Sequence, residues 1–268
     1  IAFAGVWINA FIFCVLCIGW VKKKTLNSNE KILLLLGCSR IYFYCFSWVY
    51  SFLYIIYPNY IHLHTELQLI TSFQNFFNYS NLWISACLCA FYCIKIANFR
   101  NSFFTYLKAK IDKMVPWLLL GSGVLALNNI NEIIMDKYFS TYFFLTCFGY
   151  AVSFMAVMLS AVFLLFSLWS HKRKMQTNSM KDLSMEAHIR AMKSIFSFLV
   201  IYSMNFVCFT LTILYIMKNE IIIPLLLSIY MHAFPGVHSV VLIFSNLKLE
   251  KALLKILSCV KQRPFSSA

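Results

Sequence analysis

Near the middle of the chain, residues 72–99 read SFQNFFNYSNLWISACLCAFYCIKIANF. At 1.5 Å of rise per residue, this segment is long enough to cross a bilayer as a helix. Its first half carries four polar side chains, three or four positions apart and therefore on one helical face: Gln74, Asn78, Asn81 and Ser85. A polar stripe in a membrane helix faces protein or water rather than lipid. We therefore predict that this helix lies at the centre of a helical bundle.

The composition indicates a membrane protein. Hydrophobic residues make up 61% of the chain and charged residues only 12%. The predicted fold is an all-α membrane protein, a single domain over residues 1–268 with seven transmembrane helices. The seven apolar runs fall at about 1–21, 32–57, 72–96, 115–130, 142–169, 195–217 and 221–245.

Basic residues are divided unevenly between the two sets of connecting segments. Four segments on one side (22–31, 95–113, 171–193 and 248–263) hold 20 of the 23 Lys and Arg residues. The segments on the other side (58–67, 131–141 and 218–220) hold 2. The positive-inside rule predicts a multi-pass plasma-membrane protein with its amino terminus extracellular and its carboxy terminus cytoplasmic. The net charge of +14 then reflects topology and attraction to anionic lipid, so we expect no nucleic-acid partner.

After the seventh run, residues 248–260 have apolar positions at helical spacing, with Lys251 and Lys255 between them. This pattern predicts a short amphipathic helix along the cytoplasmic membrane surface. Cys259 in this helix is either palmitoylated or an unmodified cysteine.

The chain carries no pattern typical of an enzyme or a metal site. The G-x-S-x-G motif, glycine-rich phosphate loops and paired acidic residues inside the apolar runs are all missing from the sequence. His62 and His64 have no third ligand nearby, and residues 221–245 contain no lysine for a retinal Schiff base. We predict a protein that is not an enzyme and has no catalytic residues, cofactor or metal.

Three polar residues lie deep in the apolar runs, at Asn9, Arg40 and His238. Their distance from the cytoplasmic ends is roughly 12–18 Å at 1.5 Å per residue, close to the bilayer midplane. An unpaired arginine there costs on the order of 3 kcal/mol or more. We expect Arg40 to point inward and to hydrogen-bond to Asn9 and to an acceptor near His238. The alternative is that Arg40 extends toward the cytoplasmic surface.

Pro235 and Gly236 lie just before His238 and are expected to bend the seventh helix. This bend is either a moving part beside the polar network or a static packing feature.

The polar stripe of the third helix is the candidate ligand site. We predict a cavity between the third, fifth, sixth and seventh helices that suits small, mostly apolar ligands. The alternative is that the amide side chains only hold helices together. No acidic residue lies on the polar face, which makes an amine-specific receptor less favoured. The predicted ligand-binding residues from this pattern are Gln74, Asn75, Asn78, Asn81, Tyr202, Asn205, Ser228, Tyr230 and Met231.

Several segments resemble the type 2 bitter taste receptors, a family of seven-helix G-protein-coupled receptors. They include FYCIKIANF at 91–99, EAHIRAMKSIFSFL at 186–199 and FPGVHSVVLIFSNLKLEKAL at 234–253. Two further segments are VKKKTLNSNEKILLLLGCSR at 21–40 and LLFSLWSHKRKMQ at 164–176. The matches run in the family's order and cover five of the seven helices.

The resemblance implies a sensory receptor for bitter small molecules that activates gustducin or another inhibitory-class heterotrimeric G protein. It places Asn78 in the ligand pocket and Asn9, Arg40, Pro235 and His238 in an interior network that acts as a clamp or a switch. Membrane lipid, sterol included, is the other expected partner. The residues expected to face the G protein are Lys95, Arg100, Lys108, His171, Lys172, Lys174, His188, Lys193, Asn246 and Lys248.

The chain departs from the family pattern at three pocket positions. Gln74 stands where many members have tryptophan, Asn205 replaces an aromatic residue, and the proline-phenylalanine pair of the fifth helix reads Ser153-Phe154. Phe154 is counted among the predicted ligand-binding residues on this basis. These departures predict a more polar pocket. The resemblance also implies a longer first helix and a longer second outer loop with a glycosylation site.

Two rival classes remain open on the sequence alone. A vomeronasal type 1 pheromone receptor shares the seven-helix architecture, but the segments KIANF and AHIRAMK favour a taste receptor. A seven-helix ligand-gated channel requires a cytoplasmic amino terminus, which the distribution of basic residues opposes.

Overall fold

The computed structural model describes residues 1–56, 65–96, 102–133, 139–176, 182–218 and 222–261, and these segments form eight α-helices. The all-helical membrane fold predicted from the sequence is confirmed. In chain order the helices are α1 (Ala2–Lys23), α2 (Ser28–Ile56), α3 (Thr65–Ile96), α4 (Ser102–Ile133), α5 (Phe139–Gln176), α6 (Asp182–Met217), α7 (Ile222–Ser245) and α8 (Leu247–Lys261).

Several helices extend beyond the apolar runs of the sequence. The fourth helix begins at Ser102 and the sixth at Asp182, well ahead of the runs that start near 115 and 195. The fifth helix continues to Gln176, past the end of its run near 169. The difference arises because hydropathy marks only the part of a helix that suits lipid. An α-helix satisfies its own backbone hydrogen bonds and can therefore continue into a polar environment.

The helix α3 packs against α2, α4 and α5 and contributes side chains to each of three buried apolar clusters. Leu88 belongs to a cluster with α1, α2, α4, α7 and α8, whereas Leu82 belongs to one with α4, α5, α6 and α7. Cys93 packs in a third cluster with α5 and α6. A helix in this position buries its polar face against protein, as the stripe of Gln74 to Ser85 requires.

The helix α8 is fixed to the bundle beside the start of α2. Asn246 caps it, because the Asn246 side-chain oxygen accepts hydrogen bonds from the backbone N–H groups of Lys248 (3.0 Å) and Leu249 (3.4 Å). Lys248 Nζ pairs with Glu30 Oε1 at 2.6 Å. The ammonium group of Lys248 packs against α1 at Gly19, where an added Cβ atom would lie 2.4 Å from Nζ. We call this side of the bundle the α8 end.

The outer surface of the bundle is apolar, as lipid contact requires. Large hydrophobic side chains such as Trp7 on α1, Phe166 on α5 and Leu225 on α7 are more than half exposed. In the described part of the chain, five helices are long and apolar enough to span a membrane, namely α1, α2, α5, α6 and α7. Of the seven runs predicted from the sequence, those in α3 and α4 fall short of this measure. The polar stripe accounts for the low hydropathy of α3.

Candidate functional site

A cavity of about 150 Å³ lies between α2, α3, α5, α6 and α7, in the half of the bundle away from the α8 end. The described lining residues include no aspartate, glutamate, lysine or arginine, and His232 is the titratable imidazole among them. The lining residues are Phe43, Gln74, Asn75, Asn78, Asn81, Leu82, Tyr150, Asn205, Ser228, Met231, His232 and Phe234.

Seven of the ten predicted ligand-binding residues line this cavity, and three lie elsewhere. Phe154 stacks on Phe206 of α6, with ring centroids 4.2 Å apart. Tyr202 is fully buried below the cavity, where its hydroxyl donates a hydrogen bond to the Leu82 carbonyl at 3.1 Å. Tyr230 is not among the lining residues, although its neighbour Met231 is. Adjacent positions on a helix point in different directions, so only one of the two faces the cavity.

Asn78 has a defined partner across the cavity. Its amide Nδ2 donates a hydrogen bond to the Tyr150 hydroxyl at 2.9 Å. The Tyr150 ring stacks on Phe209 of α6, with centroids 3.9 Å apart and an angle of 7° between the planes. This arrangement links α3, α5 and α6 at the cavity wall. Sequence reasoning missed Tyr150 because α5 has no polar periodicity that distinguishes one face.

Sequence reasoning also missed His232, which lies on the α7 side of the cavity. Its Nδ1 is 2.8 Å from the Ser228 carbonyl oxygen, and its ring stacks on Phe43 with centroids 5.6 Å apart. Its Nε2 is 3.4 Å from Gln74 Nε2. A histidine inside an apolar run is costly enough to indicate a function, and the same argument identified His238.

Arg40 is completely buried and donates hydrogen bonds to two other helices, α3 and α7. Its Nε donates to Asn81 Oδ1 on α3 at 2.8 Å, and its Nη1 donates to Ser239 Oγ on α7 at 2.6 Å. Its Nη2 lies 2.5 Å from His238 Nδ1 and 3.5 Å from Ser85 Oγ. The side chain points inward rather than toward the α8 end of the bundle.

Asn9 joins this network through Ser239 rather than through a direct bond to Arg40. The Ser239 hydroxyl accepts from Arg40 Nη1 and lies 2.7 Å from Asn9 Oδ1, to which it donates. The Asn9 amide Nδ2 donates to the Gly5 carbonyl at 2.8 Å. Ser239 is the residue that the sequence did not reveal, because a serine can satisfy its hydroxyl within its own helix and carries little positional information.

The position of Arg40 determines the tautomer of His238. A guanidinium can only donate, so His238 Nδ1 accepts and the ring carries its hydrogen on Nε2. That Nε2 is buried and has no hydrogen-bond partner among the described residues. The ring packs against Phe198 of α6, with centroids 4.4 Å apart. His238 therefore connects the α2–α7 network to the inner part of α6.

Tyr44 holds α1, α2 and α7 together beside the network. Its hydroxyl donates to the His232 carbonyl at 3.1 Å. A Cβ atom at Gly5 would lie 2.3 Å from the Tyr44 ring, and a Cβ at Gly236 would lie 3.1 Å from its hydroxyl. Two glycines on facing helices thus leave the space that the tyrosine fills. Pro235 precedes this contact within α7, which continues unbroken from Ile222 to Ser245.

The residues predicted to face a G protein are only partly described. Lys95 forms an ion pair with Asp112 of α4, and the hydrogen bonds from Lys95 and Ser28 hold the pKa of the Asp112 carboxyl below its usual value. Asn246 and Lys248 hold α8 in place, and Lys108 is exposed. Arg100 and the side chains of His171, Lys172, Lys174, His188 and Lys193 lie outside the described residues.

Comparison with known proteins gives matches along almost the whole chain. Residues 1–146 and 128–261 match the family model described as taste receptor protein (TAS2R). Taste receptor type 2 member 7 of Macaca mulatta is 31% identical over 97% of this chain and 92% of its own length. Taste receptor type 2 member 9 of Pan troglodytes is 32% identical over 96% of this chain and 90% of its own length. Taste receptor type 2 member 9 of Papio hamadryas is 30% identical over the same shares.

Proposed function

The chain belongs to the taste receptor type 2 family, and from this membership we propose that it is a bitter taste receptor of the G-protein-coupled class. The proposed ligands are small, mostly apolar bitter compounds. The observation that carries the proposal is the uncharged, amide-rich cavity of about 150 Å³, which shares Asn81 with the buried network of Arg40. The family argues against an enzyme, since its members are receptors.

The proposed orientation places the α8 end in the cytoplasm and the cavity in the extracellular half. The basic residues of the sequence support this orientation, because 20 of 23 fall in the segments that adjoin the α8 end. The amino terminus is then outside a plasma membrane. An epitope at the amino terminus of intact cells tests the orientation, and labelling only after permeabilisation would favour the channel class instead.

In the proposed mechanism, an agonist shifts the receptor toward a conformation that accepts a G protein. The agonist must bind that conformation better than the resting one, and couplings of about 1–3 kcal/mol are typical. Asn81 is the proposed link, because it lines the cavity and also accepts the Arg40 Nε–H bond. A ligand that displaces Asn81 changes the partners of Arg40 and, through His238, the packing against Phe198 of α6.

The proposed transducer is gustducin or another inhibitory-class α subunit with its βγ partner. The helix α5 continues past its apolar run to Gln176, and α6 begins before its apolar run, at Asp182. Both extensions supply helical surface at the α8 end. The exposed residues Lys95 and Lys108 lie at that end as well. Membrane lipid, sterol included, is proposed to contact the exposed apolar residues of α8, such as Leu254 and Leu257.

Expression of the full-length receptor with a gustducin-like α subunit, followed by calcium imaging against a broad panel of bitter compounds, tests the proposal. We expect concentration-dependent calcium signals that are lost in Asn81→Ala and retained in the control Leu225→Ala, whose side chain is 62% exposed on the lipid side of α7. Silence of the wild-type receptor across the panel, with surface expression verified, would count against a bitter receptor.

A further inference from the structure

The strongest unassigned feature of the cavity is the facing pair of His232 on α7 and Gln74 on α3. We infer that this pair selects uncharged ligands that carry a hydroxyl group on a small apolar body, an inference that rests on the proposed receptor function. Gln74 is where this chain departs from the family resemblance, and His232 was not identified from the sequence. Through Gln74, the pair therefore concerns the selectivity of this particular chain.

The hydrogen-bond partners of His232 fix which nitrogen faces Gln74. The Ser228 carbonyl, 2.8 Å from Nδ1, can only accept, so Nδ1 of the neutral ring carries the hydrogen. The other nitrogen, Nε2, then presents a lone pair. Gln74 Nε2 is a donor, and it lies 3.4 Å from His232 Nε2. Across this gap the cavity thus has one acceptor and one donor facing each other.

The distance between the two nitrogens leaves this hydrogen bond incompletely formed. An ordinary N–H donor lies about 2.9–3.0 Å from its acceptor, so the contact at 3.4 Å is long. A ligand hydroxyl that enters between the two groups can donate to His232 Nε2 and accept from Gln74 Nε2. It replaces one long hydrogen bond with two of ordinary length, and a hydroxyl supplies both roles with one atom. An ether oxygen can only accept, and a hydrocarbon can do neither.

The remainder of the cavity limits the rest of the ligand. Phe43 stacks on the face of His232, and Phe234 and Leu82 supply further apolar wall. A cavity of about 150 Å³ has room for a molecule of the size of benzene. The described walls contain no carboxylate for an ammonium group and no lysine or arginine for a carboxylate. The ligand class is consequently a single-ring or similarly small alcohol or phenol.

Direct binding tests this inference without G-protein signalling. The full-length receptor, purified in lipid nanodiscs, is titrated with para-cresol, para-methylanisole and toluene by ligand-observed NMR. These probes share the methyl-substituted ring and differ in the hydroxyl group. Because one additional neutral hydrogen bond is at stake, we expect para-cresol to bind about fivefold to tenfold more tightly than the other two.

Variants assign the preference to the two residues. We expect the advantage of para-cresol to fall below about twofold in His232→Phe and in Gln74→Leu. The matched control is Val237→Ala, which lies on α7 five positions after His232 with its side chain 49% exposed. It is expected to keep the full preference. The two cavity variants lie on different helices, so a folding defect in one leaves the other informative.

The outcomes separate this inference from the proposed function. Equal binding of the three probes, no binding of any probe, or a preference that survives both cavity variants would overturn the inference. Calcium signals from a panel of bitter compounds without a hydroxyl preference would do so as well, while leaving the receptor function intact. Hydroxyl-selective binding in a receptor that never signals would instead count against the receptor function.

Discussion

Arg40 and Asn81 are joined by a hydrogen bond of 2.8 Å between the guanidinium Nε and the amide Oδ1, at the floor of the cavity. The bond connects the two polar features of the bundle, since Asn81 lines the cavity and Arg40 lies at the centre of the buried network. A charged side chain at this depth makes the bond stronger than a contact between neutral groups. Any rearrangement of the cavity floor at Asn81 therefore acts on a fully buried arginine.

Replacing Arg40 is expected to destabilise the fold strongly. The change Arg40→Ala leaves Asn81, His238 and Ser239 without their donor, and we expect a loss on the order of 3 kcal/mol in the free energy of unfolding. Thermal unfolding of the purified receptor in detergent measures the loss. Arg40→Lys is expected to recover only part of it, because an ammonium cannot reproduce the planar fork of donors. The exposed Lys108→Ala serves as the control, and an equal effect of Lys108→Ala and Arg40→Ala would contradict this interpretation.

A single methyl group at Gly5 is expected to disrupt the contact of α1 with α2 and α7. In Gly5→Ala the new Cβ lies 2.3 Å from the Tyr44 ring, and the hydroxyl of that ring is held by the His232 carbonyl. We expect a cost of about 1–3 kcal/mol in the free energy of unfolding. Tyr44→Leu combined with Gly5→Ala is expected to recover part of it.

The matched control for this change is Gly121→Ala on α4, where no atom lies within 4 Å of the added Cβ. Because alanine favours a helix over glycine, this variant is expected to be neutral or up to about 1 kcal/mol more stable. Similar unfolding midpoints for Gly5→Ala and Gly121→Ala would show that the space around Tyr44 is not limiting.

The bond between Asn78 and Tyr150 is open to measurement by a double-mutant cycle. Asn78→Ala and Tyr150→Phe each remove one partner of the 2.9 Å hydrogen bond. We expect a coupling of about 0.5–1.5 kcal/mol in the free energy of unfolding, the usual range for a neutral pair. A second cycle pairs Asn78→Ala with Thr210→Val, an exposed α6 residue whose hydroxyl donates to the Phe206 carbonyl of its own helix. Additive effects are expected there, and additivity in both cycles would argue against the Asn78–Tyr150 bond.

Gln74→Trp is expected to change the choice of agonist more than the stability. The indole fills part of a cavity of about 150 Å³ and replaces the side-chain amide that faces His232. Concentration–response curves for several agonists in the calcium assay measure the change, with thermal unfolding as the stability reading. Curves that coincide with those of the wild-type receptor for every agonist would contradict a role of Gln74 in selectivity.

Removal of the ion pair between Lys248 and Glu30 tests how α8 is held to the bundle. Lys248→Ala is expected to increase amide hydrogen exchange in the first turn of α8, because the variant lacks the ammonium group that reaches Glu30 past Gly19. The stability of the whole bundle is expected to change by less than about 1 kcal/mol, as is usual for a partly exposed ion pair. The neighbouring Lys251→Ala, which is exposed, is expected to leave the exchange unchanged. Equal protection in both variants would mean that buried Leu249 holds α8 without the ion pair.

The general architecture could be predicted because membrane helices are encoded by long apolar runs. Residues that are costly in lipid were also informative, and the buried positions of Arg40, Asn9 and His238 follow from that cost. Serine was not informative in this way. The path from Arg40 to Asn9 through Ser239 emerges only from the relative rotation of α2 and α7.

The residues that line the cavity were predicted most completely on α3 and least completely on the helices around it. The amide stripe has a helical period, so the residues from Gln74 to Asn81 could be assigned to one face. Phe43 and Tyr150 are aromatic residues among many others, and no periodicity separates the ring that lines the cavity from the ring that faces lipid. Phe154 illustrates the same difficulty, since it packs on Phe206 instead of facing the cavity.

The partners of Arg40 have a consequence for the order of events during synthesis. Asn81 follows within the next helix, but His238 and Ser239 come from α7, almost 200 residues after Arg40. At 5–20 residues per second, roughly 10–40 s of synthesis separate α2 from these partners. During that interval Arg40 has only its α3 partners, Asn81 and Ser85, which are half of its final partners. The early helices of this receptor therefore lack the α7 partners of Arg40 until the last transmembrane helix has been made.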